Sequence, residues 1–179
     1  MANANKYDKK TKVINNKHFK PQIIIKCYQI NLQHSKTATY NLMELIEKDE
    51  IDVVFIQEPY AIHNRVVEIT KRYRTFTSTI VRIRTATVIT NKQIDALLIR
   101  EATNKDTVVV EITLGNLKFY KVNMYLDITE KLDKNIEQIN DILQLTNTRG
   151  LLITMDSYQD QGHGMTNLPM VEARNKKNS

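Results

Sequence analysis

The chain has 179 residues, 26 of them Lys or Arg and 20 Asp or Glu, for a formal charge of +6. That whole excess lies in residues 1–26, which hold seven lysines and one acid, Asp8; residues 27–179 carry 19 charges of each sign. A single cysteine, Cys27, excludes an internal disulfide framework and a multi-thiolate zinc site. No apolar run approaches the ~20 residues of a membrane span, and none of the four glycines sits in a phosphate-loop pattern. The charged N-terminus is followed by no apolar stretch, so no secretory signal is expected and a reducing, intracellular setting is the default. With 41% hydrophobic and 26% charged residues, the composition is that of one globular domain.

Residues 1–21 are Lys- and Asn-rich up to Pro21 and bury too little to offset their ordering entropy, so a disordered leader is expected. It reads as a solvated segment or as an arm that contacts nucleic acid. Residues 22–157 form the body. Ile23 to Ile30 has strand parity, and Leu42, Leu45 and Ile46 predict a helix over 39–48, capped by Thr37 or Thr39. Asp52 to Ile56 is a second buried strand, and a basic stretch runs from Arg65 to Arg84. β-Branched runs at 86–90, 94–100, 107–114 and 117–126 predict strands, the last two joined by a two-residue turn at Gly115-Asn116. Leu132, Ile136, Ile139 and Leu143 repeat at helical spacing over 129–145, and Leu151 to Met155 is a last short strand. Single helices between many strands predict a mixed α/β sheet domain. Residues 158–179 lose all periodicity. Cys27, Met43, Met124 and Met155 fall in periodic segments and read as core.

Three apolar strands end in an oxygen-bearing side chain: Ile30-Asn31, Ile56-Gln57-Glu58 and Met155-Asp156. Mg²⁺ takes oxygen ligands from one or two carboxylates, with waters and substrate phosphates completing its shell. Strands also end in Asn or Asp simply because these residues initiate turns. His34, in the loop after the first strand, is a poor ligand for so hard an ion.

Local wording adds to this pattern. Residues 29–46, from Gln29 through Asn31 and Gln33 to Ile46, closely resemble the opening of the endonuclease domain of insect non-LTR retrotransposons. That domain belongs to the endonuclease/exonuclease/phosphatase superfamily, with apurinic endonucleases and DNase I. Asp52 to Tyr60 resembles the family's metal-ligand strand, and Arg72-Tyr73-Arg74 and Gln93 to Ile99 continue the match. Lys121 to Ile128 resembles the strand with the active-site tyrosine, here Tyr125, and Arg149 to Ser157 the strand that ends in an aspartate, here Asp156. The resemblance implies a DNase I-like α/β fold, a two-sheet sandwich with flanking helices, incomplete at the C-terminus. It implies Mg²⁺ bound by Glu58, with Asn31 in the metal and phosphate shell. Tyr125 would contact the scissile phosphate and Asp156 would orient the attacking water. The implied partner is DNA, nicked in the nucleus to prime reverse transcription, with no membrane and no small-molecule cofactor.

The chain also departs from the family. Tyr158 stands where an Asn is expected, and a phenol cannot both donate and accept as an amide does. The later Ser-Asp-His motif is missing from these 179 residues, and His163 does not lie in such a motif. Losing a general base costs about 10²–10⁴ in rate, so weak activity is expected, and a sheet edge left bare favours self-association. Arg65, Lys71, Arg72, Arg74, Arg82 and Arg84 offer a DNA-backbone surface or a solvated charge run. Two main readings therefore compete, an impaired Mg²⁺-dependent endonuclease and a catalytically dead remnant that at most binds DNA. A phosphoesterase acting on small substrates is a third, less favoured by the wording.

Overall fold

The computed structural model describes residues 24–78, 82–127, 129–146 and 150–157, with the backbone alone for 151, 152 and 154–157. The expected leader at 1–21 and the tail at 158–179, with Tyr158 and His163, lie outside the described residues. Within them the order is β1 (Cys27–Asn31), α1 (Lys36–Asp49), β2 (Val53–Gln57), β3 (Ala61–Ile62), β4 (Arg65–Val66) and β5 (Arg74–Thr77). There follow β6 (Thr85–Ile89), β7 (Asp95–Leu98), β8 (Thr107–Leu114), β9 (Leu117–Leu126), α2 (Leu132–Leu145) and β10 (Leu151–Ser157). The strands form two four-stranded sheets, ordered β1-β2-β6-β5 and β10-β9-β8-β7, and a small β3-β4 ribbon.

Strand parity explains the layering, because successive side chains point to opposite faces. In β2, Val53 and Phe55, with Ile89 of β6, face the second sheet, where they pack with Val108, Val110, Ile112 and Phe119. Val54 and Ile56 face outward and are covered by Leu42 and Ile46 of α1. On the far side, Ile142 of α2 covers Val109, Val122 and Met124. The result is an α/β/β/α sandwich. Each fully buried Leu or Ile on a covering helix contributes roughly 2 kcal/mol, so Leu42 and Ile46 are what hold α1 down.

Several local details differ from the sequence-based expectation. The α1 cap is Ser35, whose Oγ accepts from Ala38 N at 3.2 Å, while Thr39 is buried within the helix. Helix α2 anchors through Ile142, with Ile139 beside it, and leaves Leu132 and Ile136 exposed. Residues 142 and 143 both fit helical spacing from 139, so periodicity alone cannot choose between them. The basic stretch contains two short strands, β4 and β5, that few apolar residues announce. The hairpin is as expected: Leu114 pairs with Leu117, and Gly115 takes a left-handed φ of 57°. Gly150 is also left-handed, and a Cβ there would lie 3.0 Å from Phe119 Cβ, so a glycine must start β10.

The layer between the sheets is apolar at one end and polar at the other. Around Val53, Ile89 and Phe119 it is hydrocarbon. Toward the ends of β2 and β9 it holds Gln57, Thr85, Thr87, Lys121 and Asn123, all fully buried. Lys121 Nζ lies 4.0 Å from the Phe55 ring centroid and has no hydrogen-bond partner among the described residues. Burial pushes its pKa down to about 7, against a small opposing effect of nearby Cys27. Burial also pushes the Cys27 thiol up to about 11, which the Lys121 charge partly opposes.

An uncompensated buried ammonium destabilises the fold, and the effect depends on pH. Above pH 7 folded Lys121 loses its proton while the unfolded chain keeps its own, so stability rises with pH until Cys27, whose folded thiol holds its proton longer than the unfolded one, offsets the rise above pH 9. Urea melts should therefore show wild-type stability rising by on the order of 2 kcal/mol between pH 6.5 and 8.5. Lys121→Met should be more stable at pH 6.5 and lack that rise; parallel curves for the two proteins would refute this.

Candidate functional site

Strand direction gathers the site. β1 runs parallel to β2 and β9 parallel to β10, so each pair ends together. β6 and β8 are antiparallel to β2 and β9, so they begin where those strands end. One rim of the sandwich thus collects the carboxyl ends of β1, β2, β9 and β10 and the residues that enter β6 and β8. Asn31 lies opposite Gln57, and Asp156 lies opposite Tyr125. Arg84 and Asp106 immediately precede β6 and β8.

The two sheets are tied at this rim. Gln57 Nε2 donates to Asn123 Oδ1 at 2.7 Å, and Asn123 Nδ2 donates to the carbonyls of Ala86 at 2.9 Å and Ile56 at 3.3 Å. Just beyond, the chain turns sharply. Gln33, His34 and Glu58 all have left-handed φ, of 48°, 55° and 47°. Such angles are uncommon for residues with side chains and concentrate at functional sites. The two turns are stitched together by Leu32 N to Gln57 O at 2.9 Å and His34 N to Glu58 O at 2.8 Å, and His34 Nδ1 lies 3.1 Å from Pro59 O. Asn31 Oδ1 accepts from Gln33 N at 2.8 Å, which fixes its amide.

Three of the four residues expected at the site have described side chains, and two of these face each other. The Tyr125 phenol lies close to the Glu58 carboxylate across the sheets; burial first, then the Glu58 charge, push the phenol up to about 12. Asn31 ends the strand paired with β2, one residue short of Glu58. The Asp156 backbone is at the same rim, and its side chain lies outside the described residues.

The six cations do not form one surface. Arg74 opens β5 opposite Ile89, at the other end of the sheet from Glu58, and donates to the carbonyls of Asn91 and Ile94. Arg72 pairs with Glu47 late in α1 and also donates to Tyr73, and Lys71 precedes it. Arg84 is turned inward, with Nη1 donating to Asp127 at 2.5 Å. Arg65 and Arg82 stay exposed on the rim side, where Arg82 N is held by Asn64 Oδ1 at 3.1 Å. Adjacency in sequence is not adjacency here, because β5 crosses the whole sheet between Arg72 and Arg82.

Asn123, Asp106 and Asp127 were not singled out from the sequence, and Arg84 was read only as part of the cationic run. Asn123 carried a usable signal, since it has the parity of Tyr125 and is the one polar amide in the apolar run Val122–Leu126.

Among the described residues expected at the site, Glu58 offers a carboxylate, Asn31 an amide carbonyl and Tyr125 a phenol, all oxygen donors. No group of three His, Cys, Asp or Glu residues that could hold a metal occurs among the described residues. Oxygen donors with a single carboxylate fit Mg²⁺, which keeps several waters and shares phosphate oxygens, and do not fit an all-protein zinc or calcium cage.

No protein-family model matches the sequence, and no curated protein matches it. Solved structures do match. The endonuclease domain of TRAS1, a telomere-specific non-LTR retrotransposon, superposes with a TM-score of 0.66 at 23% identity, over 74% of this chain and 58% of that one. The two-sheet architecture is shared. The chain has the DNase I-like endonuclease/exonuclease/phosphatase fold. D. rerio TDP2, solved with a single-strand DNA product, matches this DNase I-like chain with a TM-score of 0.53 at 16% identity, over 75% of this chain and 60% of its own. The human Nocturnin catalytic domain with a bound sulfate matches with a TM-score of 0.51 at 10% identity, over 76% and 65%. The chain therefore spans about three fifths of the length of these DNase I-like proteins. The fold expected from the sequence is the fold found.

Removing the inter-sheet tie should cost stability at the rim. Asn123→Leu leaves the Gln57 amide unpaired in a buried layer and should lower unfolding free energy by about 2–3 kcal/mol. The added cost of Gln57→Leu on that background should be far smaller than its cost alone. Additive costs in chemical denaturation would show that the two side chains are not coupled.

Proposed function

We propose that this chain is a Mg²⁺-dependent DNA endonuclease domain of the retrotransposon type, which hydrolyses phosphodiester bonds. The observation that supports it most is the meeting of Glu58 and Tyr125 across the sheets, beside Asn31, at one rim of a DNase I-like fold. In this reading Glu58 would hold Mg²⁺, with Asn31 in the metal and phosphate shell, and the bound ion would polarise a phosphoryl oxygen and favour attack by water. Tyr125, whose phenol stays protonated across the physiological range, donates a hydrogen bond to a phosphate oxygen. Asp156, opposite Tyr125 by strand register, orients the water. Arg65 and Arg82 contact the DNA backbone, and two such contacts give a salt slope of about −2.

Tyr158 in place of the expected amide, which a phenol cannot reproduce, supports a slower reaction. The same observation favours a second reading, a domain that binds DNA without cutting it. A supercoiled-plasmid assay separates the two. Nicked circles should accumulate with Mg²⁺, not with EDTA, and Glu58→Ala should slow them at least about 100-fold. Retained DNA binding without Mg²⁺-dependent nicking would favour the second reading, and equal nicking by Glu58→Ala would reject the site.

A further inference from the structure

Arg84 contacts Glu58, Tyr125, Asp106 and Asp127 at the rim. Its backbone carbonyl accepts from Glu58 N at 2.8 Å, at the left-handed turn that aims the carboxylate. Its guanidinium carbon lies 5.1 Å from the Tyr125 ring centroid. Nη1 donates to Asp127 Oδ2 at 2.5 Å, and Nε lies 3.4 Å from Asp106 Oδ1. Both acids flank the tyrosine: Asp127 is two residues beyond it, and the Asp106 carbonyl accepts from Tyr125 N at 2.8 Å. Asp127 is itself fixed by Thr129, whose N and Oγ1 donate to Oδ1 at 3.0 and 2.6 Å. Lys105 bridges Asp106 at 2.9 Å and Glu130 at 3.0 Å. The Arg84 side chain is only 15% exposed.

This arrangement does not suit a phosphate-binding arginine. A phosphate would have to displace two carboxylates that already neutralise the guanidinium. It suits a residue that sets the place of another. The planar, delocalised cation stacks on an aromatic face while its edge forks to acids, which an ammonium cannot reproduce.

We propose that Arg84 is a positioning residue: stacked on Tyr125 and held by Asp127 and Asp106, it fixes the phenol against Glu58. Its kinetic consequence rests on the endonuclease reading above, whereas its structural consequence does not.

The test uses the full chain with ring-¹³C tyrosine, the Tyr125 signal being identified by its loss in Tyr125→Phe. In Arg84→Met and Arg84→Lys the Tyr125 ring signal should shift and broaden while the other tyrosine signals hold. Plasmid nicking with Mg²⁺ should lose about 10–100-fold in kcat in both variants, as expected for a misplaced group, with KM for DNA within twofold. Arg84→Met on a Tyr125→Phe background should lose little more than Tyr125→Phe alone. An unmoved Tyr125 signal in folded Arg84→Met would overturn the proposal, as would a raised KM at constant kcat, which marks direct DNA binding. Should Arg84→Met fail to fold, Asp127→Asn decides in its place, since freeing the guanidinium should broaden the same signal. If the wild type nicks no DNA, the endonuclease reading fails and the ring signal alone judges the position of Tyr125.

Discussion

One asparagine amide between two sheets sets the geometry of everything at the rim. Asn123 projects from β9 into a layer that is hydrocarbon further along, and it uses both ends of its amide there. It accepts from Gln57 on β2 and donates to the carbonyls of Ile56 and Ala86 on β2 and β6. Apolar contacts are non-directional and would hold two sheets together in many registers. A buried amide with all its partners on the other sheet is satisfied in few of them, and leaving it unpaired is costly. Two residues further along β9 is Tyr125, and one residue beyond Gln57 is Glu58. The tie between positions 57 and 123 therefore sets how the phenol and the carboxylate meet.

Topology does the rest. Two parallel strand pairs deliver their carboxyl ends to one edge, and the antiparallel strands beside them deliver their entries to the same edge. Two strands in different sheets thus contribute a carboxylate and a phenol, while the entries of β6 and β8 contribute Arg84 and Asp106. The electrostatics follow this division. The acids at 106, 127 and 130 are matched by Arg84 and Lys105, so the lateral part of the rim is a closed network. Glu58 has no ion-pair partner among the described residues and faces a neutral phenol. That leaves it the member of the rim best able to take a cation.

The fold was legible because its core strands are near-continuous β-branched runs, as strands buried on both faces are, and because Gly115-Asn116 closes a tight hairpin. Glu58 and Asn31 were legible as polar ends of apolar strands, and Tyr125 through resemblance. What escaped has physical causes. The strands of the basic stretch are short and mostly polar, so no periodicity announces them. The α1 cap shifted to Ser35 because Thr39 is drawn into the helix interior. Arg84 looked like the end of a cationic run, and only three-dimensional pairing with Asp127 and Asp106 reveals it as internal. Lys121 is the least legible of all, since a lysine in a strand is normally read as facing solvent, whereas its parity places it against Phe55.

The central claim is that a hard divalent cation binds at the rim where Glu58, Asn31 and Tyr125 gather. Paramagnetic broadening by Mn²⁺, a mimic of Mg²⁺, tests it directly in backbone amide spectra, independently of any nuclease activity. Stoichiometric Mn²⁺ should broaden the amides of Asn31, Glu58 and Tyr125 and spare Gly115 and Asn116 at the opposite end of the sheet, with EDTA restoring the signals and Glu58→Ala preventing the effect. Unbroadened rim amides, or broadening that survives Glu58→Ala, would contradict the account.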